Sequence, residues 1–271
     1  MYATDFLFDS QRASDFGCMI CSFDGGLQPV SGGEIECNAI KTPGTDTFTF
    51  YGSQFSSALT WTFSICKNPY KNKDIHFSQY EESMIMKWLA KTDGYRWLQF
   101  NQEGYEDIFY KVNINALPHQ VAGRTIGFDL TATSNCAYGF TDVITKKASI
   151  ALMEPFLLNI HSDIDTYILP IMKVKYKPTN PRPLSFDNCR SGRNFSYGNA
   201  DSILDKPIKI ENMSQDVTMD SDMGIIKGLA RPNDFNWSFM KLVNGTNVIM
   251  ADHARDVEIE LQYREPRYVR V

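Results

Sequence analysis

Apolar and polar residues alternate with a period of two through most of this chain. The pattern is cleanest in "SALTWTFSIC" (57–66), where Leu59, Trp61, Phe63 and Ile65 face one way and Thr60, Thr62 and Ser64 the other. Successive side chains of a strand point to opposite faces, so this segment predicts a strand with one buried face. "DFLF" (5–8), "GCMICSF" (17–23), "GEIECNAI" (33–40), "DTFTFYG" (46–52) and "DIFYKVNI" (107–114) also read as strands. In "TIGFDLTAT" (125–133), Ile126, Phe128 and Leu130 are expected inward. The Pro-Gly of "KTPGT" marks a turn between two of these strands.

One stretch breaks the period. In "SQYEESMIMKWLAKTDGYRWLQF" (78–100), Ser78 is followed three residues later by Glu81, a capping box. Met84 with Trp88 and Ile85 with Leu89 are spaced four apart and share an apolar face. A helix of about three turns is expected over roughly 78–91, with Gly94 as its left-handed terminator.

Periodicity lapses around 140–150 and the strands after it are shorter. "DTYILPIMKVKYK" (165–177) reads as an edge or bulged strand because Pro170 lies inside it. The segment 178–202 is rich in Pro, Asn, Ser, Gly and Arg, and reads as a long loop or insertion. "KLVNGTNVIM" places Asn244-Gly245 between apolar runs, a hairpin signal. "DVEIELQYRE" (256–265) closes the pattern with Val257, Ile259, Leu261 and Tyr263. The fold class is therefore mainly β in two domains. Residues 1–145 form a β-sandwich or barrel carrying one α-helix, and residues 146–271 a second sandwich with a loop at 178–202.

Composition narrows the function classes. With 271 residues, 43% hydrophobic and 22% charged, the chain has ample core for either domain. Its net charge of −5 lacks the basic footprint of a protein that grips phosphates. Letting nucleic acid pass without holding it remains compatible with such a balance. No apolar run approaches the ~20 residues that span a bilayer, so no membrane insertion is expected. "MYATDFLFDSQRASDFG" lacks the basic start and apolar middle of a signal peptide, so synthesis in a reducing cytoplasm is expected. Four Asn-x-Ser/Thr sites, at Asn194, Asn212, Asn236 and Asn244, then read as turn residues.

Reactive constellations are sparse. Cys18 and Cys21 form a C-x-x-C that could join Cys37 and Cys66 around zinc, but a strand puts the two on opposite faces. Buried cysteines acting as small hydrophobes are the simpler reading. His76, His119, His161 and His253 are scattered without a local partner and read as surface or capping residues. Asp216, Asp220 and Asp222 cluster without the glutamate an EF-hand needs, which favours a solvated turn over a calcium site. Neither a G-x-S-x-G nor a Gly-rich phosphate loop occurs. The chain is read as no enzyme, with no catalytic, cofactor-binding or metal residues and no cofactor.

Three blocks in order carry a resemblance. The start, "FLFDSQRASDFGCMICSFDGG", has an opening strand, an S-x-D-F-G turn and an apolar strand. The centre, "YEESMIMKWLAKTDGYRWLQFNQEGYEDIFYKVNI", has a helix with Trp-Leu and a strand–turn–strand. The end, "FNWSFMKLVNGTNVIMADHARDVEIELQYREPRYV", has an L-V-x-G-x-N hairpin and a Y-R-E-P finish. Together they resemble the distal tail (Dit) proteins of long-tailed bacteriophages and prophages, over more than half of the chain.

That resemblance implies a galectin-like second sandwich and a structural role at the virion tail tip. It implies a homo-oligomeric ring, hexameric in the family, joining the tail tube protein to the baseplate hub. DNA would be only transient cargo in its channel. Residues 37–56 are the candidate subunit-joining hairpin, with Phe48, Phe50 and Tyr51 offering apolar area, though a core suits these aromatics equally well. The rival reading is a carbohydrate-binding module recognising the bacterial surface, with Tyr197, Asn236 and Trp237 as glycan contacts. Against it, Trp237 falls in an alternating stretch that would bury it.

Overall fold

The computed structural model describes residues 3–23, 25, 30–151, 154–175, 184–190, 208–210, 213–229, 237, 239–252 and 257–269. The chain divides into two compact units, Met1–Phe140 with Tyr268–Val271, and Thr141–Arg267.

In the first unit the alternating segments are β1 (Phe6–Phe8), β2 (Gln11–Arg12), β3 (Cys18–Cys21), β4 (Val30–Ser31), β5 (Ile35–Lys41), β6 (Phe48–Phe55) and β7 (Thr60–Lys67). After helix α1 (Gln79–Leu89) come β8 (Arg96–Phe100), β9 (Phe109–Val121), β10 (Arg124–Ser134) and β11 (Gly139–Phe140). The main sheet runs β2-β1-β8-β9-β10-β7-β3, with β4 also on β7 and β11 on β9. β1 and β7 stand four places apart in that order, roughly 19 Å in a flat sheet. Yet the Phe6 and Phe63 rings lie 5.4 Å apart, edge to face. The sheet therefore curls around its core, and the Ile20 amide donates to the Thr4 carbonyl (3.1 Å) across the remaining seam. Leu59, Trp61, Phe63 and Ile65 are all buried, as the alternation requires.

Helix α1 closes the core. The Glu81 amide donates to Ser78 Oγ (3.3 Å) and the Ser78 amide to Glu81 Oε2 (2.7 Å), completing the capping box. At 11 residues the helix is too short to be stable in water alone. Packing holds it: Ile85, Trp88 and Leu89 are buried, and Trp88 stacks on Phe16 (4.5 Å) and Phe6 (5.5 Å). The Trp88 indole N–H donates to the Phe8 carbonyl (2.9 Å).

Three sequence expectations for this unit are corrected. Met84 is 41% exposed, because the buried stripe runs 85-88-89 and Met84 sits at its edge. Gly94 does not end the helix, which stops at Leu89 with Ala90 extended, but its φ of 129° turns the chain into β8. A β-bulge falls between Thr125 and Gly127 and shifts the pleat, so Thr125 is buried and Ile126 only half-buried.

The second unit contains β12 (Ile144–Ile150), β13 (Phe156–Ile160), β14 (Ile171–Lys175), β15 (Leu184–Arg190), β16 (Ile208–Ile210), β17 (Met213–Asp220), β18 (Ile225–Leu229), β19 (Gly245–Asp252) and β20 (Val257–Tyr263). Sheet β12-β20-β14-β17-β18 faces sheet β13-β19-β15-β16. Their inner faces share one core, with Val174, Val217, Ile259 and Leu261 from the first sheet and Leu158, Ile160, Ile249 and Ala251 from the second. This is a β-sandwich.

Four expectations change in this unit too. Pro170 precedes β14 rather than interrupting it, so β14 can sit centrally between β20 and β17. Within 178–202, residues 184–190 are the strand β15, paired with β19 and β16. "NWSFMKLV" (236–243), the alternating stretch around Trp237 that reads as a short strand, holds in its described part no strand, only a bridge from Leu242 to Ile168. Asn244-Gly245 makes no hairpin, because β19 starts at Gly245 and pairs with β13 and β15.

The reason lies in Asn247, which is fully buried. Its side chain accepts from the Val243 amide (2.9 Å) and Asn188 Nδ2 (3.0 Å), and donates to the Val243 (2.8 Å) and Gly245 (3.2 Å) carbonyls. Those bonds hold the preceding segment away from a ladder. The Asn of L-V-x-G-x-N is thus a staple.

Candidate subunit interface on the hairpin arm

β5 and β6 form a two-stranded sheet of their own. Opposite residues share a face, so one face carries Ile35–Phe55, Cys37–Ser53, Ala39–Phe50 and Lys41–Phe48. The other carries Glu36–Gln54, Asn38–Gly52 and Ile40–Thr49. The register shifts between Asn38 and Ala39, which leaves Tyr51 as the extra residue of a bulge beside Gly52, whose φ is 134°. The arm is amphipathic, with aromatics gathered on one side.

Beyond Phe55 at its base, which meets Tyr138, no described residue covers that side. Every residue from 34 to 54 except Gly52 is exposed, and Phe48, Phe50 and Tyr51 are 67%, 61% and 68% exposed. These three aromatics are therefore not core. Isolated two-stranded hairpins are marginal in water, and this one leaves a row of Phe and Ile exposed on an edge-bearing sheet.

Both ends of the arm are tied. At the tip, the Thr42 and Thr49 hydroxyls meet at 2.9 Å, and Gly44 takes the left-handed turn of "KTPGT". At the base, the Ser56 amide donates to the Glu34 carbonyl (2.8 Å) and the Phe55 ring lies 6.0 Å from Tyr138. Gly32 is needed there: its φ is 96° and a β-carbon would fall 2.0 Å from the Ala58 carbonyl oxygen. The arm leaves the sheet through a fixed joint.

Of the residues read as glycan contacts, Tyr197 and Asn236 lie outside the described residues. Trp237 is 61% exposed with φ 57° and stands in no strand, so the expectation that alternation would bury it is corrected.

The titratable residues gather elsewhere. His119 has the oriented partner that sequence reading lacked: it bonds Asp129 (2.9 Å) and stacks on Phe23 (4.1 Å). Ser64 Oγ donates to the other oxygen of the same carboxylate (2.6 Å). The carboxylate thus stands between Ser64 and His119, and Ser64 spends its hydrogen-bond donor on Asp129 rather than on a base that would activate it. Cys18 faces the core, where burial pushes its thiol up to about 12, and Cys21 faces the other way. At 220–222, the Asp222 amide donates to Asp220 Oδ1 (3.2 Å), a turn contact. Among the described residues, no three His, Cys, Asp or Glu converge as metal ligands.

Comparison with known proteins agrees with this architecture. No curated protein sequence matches the chain. Among solved structures, the SPP1 Dit protein, described as a paradigm of the hub adsorption apparatus in phages infecting Gram-positive bacteria, superposes with a TM-score of 0.57. It is 11% identical, and the match covers 96% of this chain and 98% of that one. A chain of the phage P2 baseplate, in its activated conformation with Ca, matches at TM-score 0.51 and 8% identity over 99% and 100% of the two chains. At these identities the likeness is one of fold: a mainly β, two-unit Dit architecture with one helix. Residues 1–136 match the family described as the phage tail protein N-terminal domain, and residues 138–263 the phage tail C-terminal domain. Carrying both domains in order on a Dit fold, the chain belongs to this family of phage tail structural proteins.

Proposed function

We propose that this protein forms a closed ring at the virion tail tip, with six copies as the family resemblance implies. The ring joins the tail tube to the baseplate hub and leaves a channel through which DNA passes. The observation that carries this reading is the arm, whose apolar face presents Ile35, Phe48 and Phe50 to solvent. An arm laid on a different patch of the next copy is a heterologous contact, and heterologous contacts close into rings when the rotation permits. Fully burying one such side chain contributes about 1.5–3 kcal/mol, so a few per subunit suffice for a stable assembly. A surplus of 32 acidic over 27 basic residues suits a channel wall that does not hold phosphates.

Light scattering across a concentration series, with negative-stain imaging of the same sample, tests it. The expected result is rings with an open centre, converted to folded monomers by Phe48→Asp with Phe50→Asp. Rings that survive this double substitution would overturn the role of the arm. A monomer at every concentration that also fails to bind tail tubes would overturn the ring.

A second reading rests on Trp237, an exposed aromatic suited to stacking on a sugar ring. In that reading the second unit binds a cell-surface glycan, and Trp237→Ala abolishes glycan-array signal without altering ring formation.

A further inference from the structure

Cys21 and Cys66 come together on the face of the first unit's sheet that points away from its core. β3 and β7 are antiparallel neighbours in which Cys21 pairs with Ser64 and Met19 with Cys66. The two cysteines thus stand on adjacent strands, two residues apart in register and on the same face. On this diagonal the two side chains approach each other, and the Cys21 thiol is within hydrogen-bond reach of the Cys66 sulfur. Both are half-buried, and neither belongs to the core where Cys18 lies. Phe23 shields the neighbourhood: a β-carbon at Gly127, the residue paired with Cys66, would meet the Phe23 ring at 2.3 Å. Both residues keep part of their surface in solvent.

We propose that Cys21 and Cys66 form a cross-strand disulfide when the protein meets a low-molecular-weight disulfide. The bond closes the loop that carries the β5–β6 arm. Cys66 sulfur attacks one sulfur of oxidised glutathione, giving a mixed disulfide and one reduced glutathione. Cys21 sulfur then attacks the Cys66 sulfur and releases the second glutathione, which takes up the Cys21 proton. Two protein thiols and one glutathione disulfide become one protein disulfide and two glutathiones. Cys66 is the natural first nucleophile, because the Cys21 thiol donating to it holds it below the ordinary thiol range and raises Cys21.

The consequence is local. β3 is the end strand of the sheet path and pairs with β7 over only four residues. The arm leaves and rejoins this sheet between Cys21 and Cys66, so the bond ties the start of that excursion to its end. It acts within one chain, whether or not the chain forms a ring.

The test uses the full-length protein in glutathione buffers of increasing oxidised fraction, alkylation of the remaining thiols, and peptide mapping without reduction. The expected product is one cross-link joining the Cys21 and Cys66 peptides, lighter by two hydrogens. Arm cleavage by a protease should leave two fragments that separate only after reduction. The unfolding midpoint of the first unit should rise by about 5 °C on oxidation and fall back with reductant. Cys21→Ser and Cys66→Ser should each abolish the cross-link and the shift, and Cys18→Ser should leave both in place. The inference is overturned if Cys21 and Cys66 stay alkylatable under oxidation, end as separate glutathione adducts, or bond to other cysteines. A cross-link that forms equally in urea would overturn it too, since the folded pairing would then play no part.

Discussion

β5–β6 and β9–β10 are both long antiparallel pairs of the same unit, joined by tight glycine-containing turns. In β9–β10 one face is inside: Tyr110, Val112, Ile114, Ala116, Phe128, Leu130 and Ala132 are all buried. In β5–β6 the corresponding face of Ile35, Phe48 and Phe50 is at least half exposed. Alternation writes the same strand in both places. What differs is whether the folded chain has a second layer to put against it, and for β5–β6 the proposed layer is another subunit.

That contrast makes the cost of truncation very different in the two hairpins. Phe128→Ala removes a fully buried ring that meets Phe77 edge to face at 5.4 Å. It should destabilise the first unit by about 3–5 kcal/mol in chemical denaturation. A loss below about 1 kcal/mol would mean that the buried face of β9–β10 is not the core it is taken to be. In the second unit Asn247→Ala strands the Val243 amide and leaves Asn188 Nδ2 only the Lys241 carbonyl, and should cost about 2–4 kcal/mol. Asn247→Asp should fare no better, because it loses the donors and buries a charge.

A smaller effect is expected at the cap. Ser78→Ala should cost about 1 kcal/mol, read as a lower unfolding midpoint. The Lys67 ammonium and the Ser78 amide hold the Glu81 carboxyl down at about 2, against 4.5 ordinarily. A depressed carboxylate stabilises the fold above its unfolded value, so this contribution is complete above about pH 4.5 and is lost as pH falls toward 2. Lys67→Met should flatten that part of the stability-against-pH curve. An unchanged acid limb would show that the pair adds nothing to stability.

The smallest effect is the most informative. Phe48→Ser and Phe50→Ser should change the unfolding free energy of the monomer by no more than about 0.5 kcal/mol while weakening self-association by orders of magnitude. A large loss of monomer stability would place these rings in an intramolecular core and erase the contrast between the hairpins.

Much of this was legible in the residues. Ser78 with Glu81 announced the helix start, because a capping box is satisfied within four residues. Trp61, Phe63 and Ile65 announced a buried face, because the pleat alone decides which side chains group together. Where reading failed, a distant atom had intervened. The bulge at Ile126 depends on how β9 meets β10, and the lost hairpin at Asn244-Gly245 depends on a buried side chain bonded to Asn188. Trp237 is exposed because it stands in no strand, with φ 57°. The Cys21–Cys66 pair was hidden for the same reason, since C-x-x-C drew attention to Cys18, which belongs to the opposite face.

By itself, then, the sequence determined most strands of the first unit, where the helix begins and, away from the bulge at Ile126, which side of those strands is apolar. These are consequences of backbone period and of contacts a few residues apart. Only the tertiary structure decided which apolar faces are covered, which strands are neighbours and which thiols and carboxylates meet. Those outcomes depend on register between segments tens of residues apart, set by the packing of the whole sheet rather than by any one stretch of it.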